Sequence, residues 1–307
     1  MNNVVLSICC TSYNHEHYIK KALDSFLMQK TTFPIEILIH DDASTDRSVE
    51  IIQDYAKKDS RIKTILQTEN QYSQNKKPFG NFLFPMAQGK YIAVCDGDDY
   101  WIDPLKLQKQ VDFLESNRDY VVAWTNYKMF NGIDFSENYF GFKNPYRIID
   151  FDTIFTPYCT HTSTIVFKRS ALNLNKISNF KHYKDNTLYA LILESGKGVF
   201  MDFVGAVYRI NEGGVYALKS DYFKNHSSYL NIKEIIELIP GANTKNMRKV
   251  RRSLGNATAF EVLKLKQNGE PVTDAQIDFM NDYFKNADLR TQLKYLKRRC
   301  LKKAPQK

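Results

Sequence analysis

Cysteine is scarce in this 307-residue chain: Cys9, Cys10, Cys95, Cys159 and Cys300 are all there is, and no C-x-x-C pair occurs. The count is odd, and Cys9 and Cys10 sit side by side in an apolar run. Such usage argues against a disulfide framework and for buried thiols in a reducing compartment. The six histidines show no ligand spacing beside the cysteines, which argues against a zinc site. No run of 18 or more apolar residues appears, so no spanning helix is expected. The first apolar stretch, 4–10, is too short for a secretory core and cleavage site. The expectation is a cytoplasmic protein, with any membrane contact peripheral on the inner face of the plasma membrane. Internal repeats and low-complexity tracts are also missing.

What is present is ordinary globular material: 43% hydrophobic and 25% charged residues, in a chain long enough for one large domain with an appendage or for two small ones. Aromatics reach 13%; core packing is their default use, and sugar or base stacking the other. The net charge of +9 is uneven. Residues 291–307 carry Lys294, Lys297, Arg298, Arg299, Lys302, Lys303 and Lys307 with no acid. Such a run suits a solvated tail or an anionic surface. Leu293, Leu296, Cys300 and Leu301 recur there at helical spacing, as in an interfacial helix, so 289–303 is a candidate for contact with an anionic membrane. Tyr295 is the single aromatic among these cations, too few for interleaved stacking, so nucleic acid is not an expected partner.

Apolar runs at 4–10, 35–40, 62–67, 91–95 and 120–126 alternate with helical patterns at 15–29, from Ser44 or Thr45 to 58, 81–88 and 104–116. Gly89 stands where a helix C-terminus favours glycine, and Pro104 suits a first turn. This alternation predicts a doubly wound, mainly parallel sheet of α/β class. Further strands are expected at 163–167 and 199–208, with a helix at 187–195. Beyond about residue 217 the pattern is helical (228–238, 244–266, 274–283 and 289–302). The expected organisation is 1–217 as an α/β domain and 218–307 as a helical extension with a basic amphipathic end.

Ligands of open parallel sheets bind beyond the carboxyl ends of the strands. Polar residues collect there: Thr11, Ser12, Tyr13 and Asn14 after the first strand, Asp41, Asp42, Ser44, Thr45 and Asp46 after the second, and Asp96, Asp98 and Asp99 after the fourth. In extended backbone Asp96 and Asp98 point to one side, and Gly97 permits a bend or a close approach. Clustered carboxylates repel one another unless a cation joins them, and Mg²⁺ or Mn²⁺ shared with phosphate oxygens is the natural partner. The plainer alternative is a polar turn. In the second loop Ser44 or Asp46 suffices as a helix cap, leaving an aspartate free to accept a hydrogen bond from a base such as uracil.

These motifs, taken jointly, resemble family 2 glycosyltransferases of the GT-A fold. The matching segments are 7–14, 22–29, 40–46 and 89–101 with Pro104, Lys106 and Leu107. On the acceptor side they are 161–164, Lys184-Asp185 and Val207-Tyr208-Arg209. The resemblance spans about residues 1–217 and implies a Rossmann-like mixed sheet. It implies a nucleotide-diphospho-sugar donor, with UDP favoured over other nucleotides, and a divalent cation, Mn²⁺ or Mg²⁺. By position, Thr11, Tyr13, Asp42 and Asp96 would hold the nucleotide, Asp98 the metal, and Asp185 would be the catalytic base. Asp99, Trp101, His161 and Arg209 are implied substrate or phosphate contacts, with Trp101 stacked on a sugar face and Gly213-Gly214 in a loop over the phosphates. Relatives often have Gly, Glu or Asp where this chain has Lys184, and many have His where it has Asn211. A glycan or lipid-linked glycan acceptor in envelope or surface polysaccharide synthesis is the implied setting. A metal-dependent nucleotidyltransferase is the second enzyme reading, but the loop after the first strand lacks the glycines such an enzyme needs. A membrane-surface binding module built on the basic tail is the non-enzymatic one.

Overall fold

All seven residues of β2 (Ile35–Asp41) are buried, and all but Thr11 of β1 (Leu6–Ser12), as parallel strands covered on both faces require. The computed structural model of the chain describes residues 3–137, 144–211 and 218–300. β1 pairs in parallel with β2 and with β4 (Tyr91–Val94), and β2 with β3 (Ile62–Leu66). Helices α1 (Ile19–Leu27) and α2 (Ser48–Lys58) pack Ile19, Leu23, Phe26 and Ile52 onto this half of the sheet.

A π-helical turn over Phe79–Leu83 leads into the short α3 (Phe84–Met86). Beyond β4 come β5 (Tyr100–Trp101), α4 (Lys106–Ser116), β6 (Tyr120–Phe130), β7 (Phe135–Glu137), β8 (Tyr146–Ile149), β9 (Val166–Lys168), α5 (Asp185–Leu193) and β10 (Lys197–Arg209). The strand order is β3-β2-β1-β4-β9-β6-β10-β5. β9 enters antiparallel between β4 and β6, while β6 and β10 run parallel. The sheet is thus the expected mixed α/β one.

Several local expectations differ. Gly89 does not have a left-handed φ; a Cβ there would meet Ser7 N at 2.6 Å and Leu6 C at 2.8 Å, so glycine is required by packing onto β1. α2 begins at Ser48, not beside Ser44 or Thr45, because Ser44 bonds to the Asp41 carboxylate instead. The stretch expected as a strand at 163–167 starts as a 3₁₀ turn, Thr162–Thr164, whose carbonyls serve Trp101 and Gln110. A buried charge also stitches the sheet. Burial alone would raise the Glu36 carboxyl, but hydrogen bonds from Lys63, Ser7 and the Gln88 N–H hold it below its ordinary value.

The chain divides into two compact units at 211/212. The expected boundary at 217 falls at the edge of residues 212–217, which lie outside the described residues, as do Gly213 and Gly214. The second unit consists of α6 (Asp221–Leu238), α7 (Lys245–Gln267), α8 (Asp274–Asn286) and α9 (Leu289–Cys300) around Ala259, Val262, Leu263, Met280 and Phe284. Ser220, Thr244 and Thr273 cap three of these helices with side-chain oxygens. On α9, Leu289, Leu293 and Leu296 are 71%, 57% and 52% exposed, an unpartnered apolar stripe. Leu301, Lys302 and Lys303 of the expected interfacial segment lie outside the described residues. No described helix is long and apolar enough to cross a membrane.

Candidate functional site

The parallel pairing of β2, β1 and β4 brings their carboxyl ends to one edge. There the first two loops are cross-stitched. Asn14 N donates to Ser44 Oγ at 2.8 Å, and Thr45 N donates to Asn14 Oδ1 at 2.8 Å. Asn14 and Ala43 take left-handed φ values of 54° and 63°, a conformation Asn tolerates and Ala rarely adopts. Tyr13 projects from this edge, 42% exposed. Asp42 is buried, and its two oxygens accept the N–H groups of Gln71 (2.7 Å) and Tyr72 (3.0 Å). Asp42 therefore already anchors the loop after β3, and only its remaining lone pairs are open to a base.

Thr11 Oγ1 donates to Asp96 Oδ1 at 2.5 Å, and Gly97 N donates to Thr11 O at 2.8 Å. A Cβ on Gly97 would come within 2.9 Å of Thr11 O, His15 Nδ1 and Ile19 Cδ1. The glycine thus lets the acidic turn lie against the first loop. Burial, reinforced by the Asp98 charge and opposed by the Thr11 bond, pushes Asp96 up to about 7. Asp99 is almost wholly buried and raised well above its ordinary value, again by burial first and then by Asp98. Its Oδ1 accepts the Arg209 N–H at 2.9 Å, which ties the end of β10 to the acidic turn. The Arg209 guanidinium donates to Asp98 O at 2.7 Å and lies over the rings of Tyr100 (4.5 Å) and Tyr18 (5.3 Å). Asp99 and Arg209 are thus structural partners of each other at the cleft.

Asp98 keeps its carboxylate partly open. Asn211 Nδ2 donates to its Oδ2 at 2.9 Å, and His15 Nε2 stands 3.9 Å from the same oxygen. No group of three or more His, Cys, Asp or Glu forms a ready-made metal cage among the described residues. One open carboxylate amid mutually repelling acids fits a hard cation that completes its shell with substrate oxygens, as Mg²⁺ and Mn²⁺ do.

Asp185 is the first residue of α5, and the cap position falls on Lys184. The residue is exposed to solvent, while the protein around it still desolvates its carboxylate. Burial raises it; a hydrogen bond from Thr162 and the Lys184 charge oppose this. The charges of Asp98 and Asp185 both raise Asp96, so the three carboxylates are close enough to feel one another. His161 lies against Tyr127 (4.8 Å) and Tyr208 (4.6 Å), and burial lowers it to about 4. Its Nδ1 lies 2.8 Å from Ser163 Oγ and 3.3 Å from the Ser163 N–H, so the 3₁₀ turn fixes the ring's orientation.

Trp101 is not a sugar platform. It is 1% exposed, packs on Phe26 at 4.8 Å, and donates its indole N–H to Ser163 O at 2.7 Å. The two-residue β5 turns the ring inward to the core. His15, Thr162 and Tyr158 were not among the expected site residues. His15 was legible only as the start of a helix, and Tyr158, whose hydroxyl donates to Asn186 Oδ1 at 3.1 Å, is brought to α5 by tertiary folding alone.

Residues 7–174 match the family described as Glycosyl transferase family 2. An uncharacterized protein of Mycobacterium tuberculosis is 36% identical over 166 residues, 53% of this chain and 47% of that one. The chain thus spans about half the length of this relative. The UDP-Glc:alpha-D-GlcNAc-diphosphoundecaprenol beta-1,3-glucosyltransferase WfaP of Escherichia coli is 32% identical over 217 residues, 70% of this chain and 81% of that one. Among solved structures, S. aureus TarS 1–349 in complex with UDP-GlcNAc aligns with a TM-score of 0.65 at 18% identity, covering 94% of this chain and 83% of that one. The mannosyltransferase PcManGT from Pyrobaculum calidifontis, in complex with GDP-Man and Mn²⁺, aligns with a TM-score of 0.55 at 13% identity, covering 95% and 78%. These last two likenesses establish the GT-A fold.

Proposed function

The chain belongs to glycosyltransferase family 2, and from that premise we propose that it moves a sugar from a UDP-sugar to an acceptor hydroxyl with inversion. The observation that carries the reading is the joined pair Thr11–Asp96 beside the open carboxylate of Asp98. Thr11, Tyr13 and the free lone pairs of Asp42 hold the nucleoside, and Asp96 its ribose or diphosphate. Asp98 would hold a divalent cation, which would offset negative charge on the departing diphosphate. Arg209, fixed over Tyr100, adds positive charge on the same side.

Asp185 accepts the proton of the acceptor hydroxyl. The acceptor oxygen bonds to the anomeric carbon as the bond from that carbon to the diphosphate oxygen breaks, and the electron pair leaves with the nucleoside diphosphate. The raised Asp185 carboxyl is a better base than an ordinary aspartate. Positioning and preorganised charge supply most of the acceleration, because the leaving group is already good.

The acceptor is a glycan or a lipid-linked glycan of envelope or surface polysaccharide synthesis. The WfaP likeness supports that setting, and the exposed leucine stripe of α9 supports peripheral membrane contact. The likeness to a glucosyltransferase over most of the chain disfavours the nucleotidyltransferase reading.

Calorimetric titration of UDP, GDP and TDP, with and without Mn²⁺, on the wild type and Asp98→Ala tests the proposal. One nucleotide should bind in a metal-dependent way and lose that dependence in the variant. Failure of every diphosphate to bind under both conditions would sink it.

A further inference from the structure

The whole net charge of the chain resides in its helical unit. Residues 212–307 hold 19 Lys and Arg against 10 Asp and Glu, and the totals of 43 and 34 leave 24 against 24 for residues 1–211. Five of these cations stand together on α7. A groove of about 630 Å³ is lined by Lys245, Arg248, Lys249, Arg251 and Arg252 of α7, within the ~300–1,000 Å³ typical of small-molecule sites.

Lys245, Arg248, Lys249 and Arg252 follow one another at i, i+3, i+4 and i+7, which aligns four like charges along one helix face. Such pairs destabilise a helix unless something negative joins them. Little does. Arg252 stands 3.6 Å from Asp288 Oδ2, but that carboxylate also accepts from the Thr291 N–H and hydroxyl at the start of α9. Arg248 donates to Asn243 O (2.7 Å) and Oδ1 (2.9 Å), neutral acceptors that orient the guanidinium without offsetting its charge. Lys245, Lys249 and Arg251 make no ion pair among the described residues.

The facing wall is aromatic and fixed. Tyr229 meets Phe279 at 5.5 Å and Tyr283 at 6.0 Å, both edge to face. The Tyr283 hydroxyl donates to Arg252 O at 2.9 Å and reaches Asn256 Oδ1 at 3.1 Å. Its ring fills the space over Gly255, where a Cβ would come within 2.3 Å of Cε2. Glycine in a helix interior is less favourable than alanine, so α7 gives up stability to seat this ring beside the cations.

We propose that this groove is a second anion site, separate from the nucleotide-sugar cleft. Its ligand carries a phosphodiester or diphosphate group joined to a sugar or apolar portion. Arg and Lys at several angles suit a phosphate with its several acceptor oxygens, and the tyrosine and phenylalanine rings suit what the phosphate carries.

The test uses the full chain in EDTA, where the metal-dependent cleft does not hold a diphosphate. Inorganic pyrophosphate is titrated calorimetrically into the wild type, into the groove variant Lys245→Gln/Lys249→Gln/Arg251→Gln, and into the α9 variant Arg290→Gln/Lys294→Gln/Lys297→Gln. Circular dichroism and UDP binding with Mn²⁺ check that each variant is folded. Saturable wild-type binding, weakened about tenfold or more in the groove variant and unchanged in the α9 variant, is the expected result. Co-sedimentation with vesicles of phosphatidylcholine, alone or mixed equally with phosphatidylglycerol, identifies the source. Capture by the anionic vesicles that the groove variant loses assigns a lipid headgroup; pyrophosphate binding with groove-independent vesicle capture assigns a non-bilayer phosphate ligand. If neither probe binds saturably, or if the groove variant binds both as the wild type does, the proposal is overturned.

Discussion

The Thr11 hydroxyl and the Asp96 carboxylate, 2.5 Å apart, join the end of β1 to the turn after β4. This bond opposes the burial that raises Asp96 to about 7. Between the ordinary carboxylate value and about 7 the folded state keeps a proton that the unfolded chain has released. Stability therefore falls as pH rises through that window, at up to roughly 1.4 kcal/mol per pH unit while one such group titrates. Asp99 and Asp185, also raised, push the same way. Thermal unfolding in EDTA should show a Tm that declines from about pH 5 to about pH 7. Thr11→Val should extend the decline to higher pH, and Asp96→Asn should flatten it. A curve identical in wild type and Asp96→Asn would refute the linkage.

Asp185→Asn removes the proposed base while keeping the side chain's size and its reach to Thr162. The expected loss in kcat is about 10²–10⁴-fold, with the affinity for the nucleoside diphosphate unchanged, because Asp185 faces the acceptor. Single-turnover kinetics beside UDP titration separates the two. A matching fall in nucleotide affinity would place Asp185 in the donor site and remove it as the base.

Trp101→Phe tests the assignment of this ring to the core. The variant loses the indole bond to Ser163 O and leaves a void beside Phe26. A loss of roughly 1–3 kcal/mol in denaturant unfolding is expected, with donor-sugar selectivity preserved. Selective loss of UDP-sugar over UDP binding at unchanged stability would return Trp101 to the sugar.

The strands at 4–10, 35–40 and 91–95 were legible because parallel strands covered on both faces are continuously apolar, and polar residues following such strands have few places to go except a ligand edge. That logic located Thr11, Asp96 and Asp98. It did not separate Trp101 from the acidic turn, since a residue two positions beyond Asp99 stands equally near the site in sequence whichever way its ring turns. Pairing of β5 with β10 decides the direction, and that contact spans about a hundred residues. Asp42 shows the same limit: its two backbone partners arrive from the loop after β3. The starts of α1 and α2 were misplaced because side chains that usually cap, Ser44 and Asn14, bond across the two loops instead. The basic groove of α7 was invisible for a related reason. In sequence its charges are indistinguishable from a solvated helix face, and only the fold brings Tyr229, Phe279 and Tyr283 to the opposite wall.

Two glycines separate close packing from backbone strain. Gly97→Ala places a Cβ 2.9 Å from Thr11 O, from His15 Nδ1 and from Ile19 Cδ1, the first an atom of the proposed nucleotide edge. The turn has to move away from the first loop, which stretches the Gly97 N–H bond to Thr11 O and the Thr11 bond to Asp96 together. A destabilisation of roughly 1–3 kcal/mol is expected, accompanied by weaker UDP binding in the presence of Mn²⁺. Gly132 is the contrast: its φ is +94°, and a Cβ there meets nothing within 4 Å. Gly132→Ala should cost roughly 1 kcal/mol through strain alone and leave UDP affinity as it was. Chemical denaturation and UDP calorimetry on both variants check the pair. Equal effects on affinity would mean that the cleft responds to global stability, and the close approach of the acidic turn to the first loop would then have no special part in holding the nucleotide.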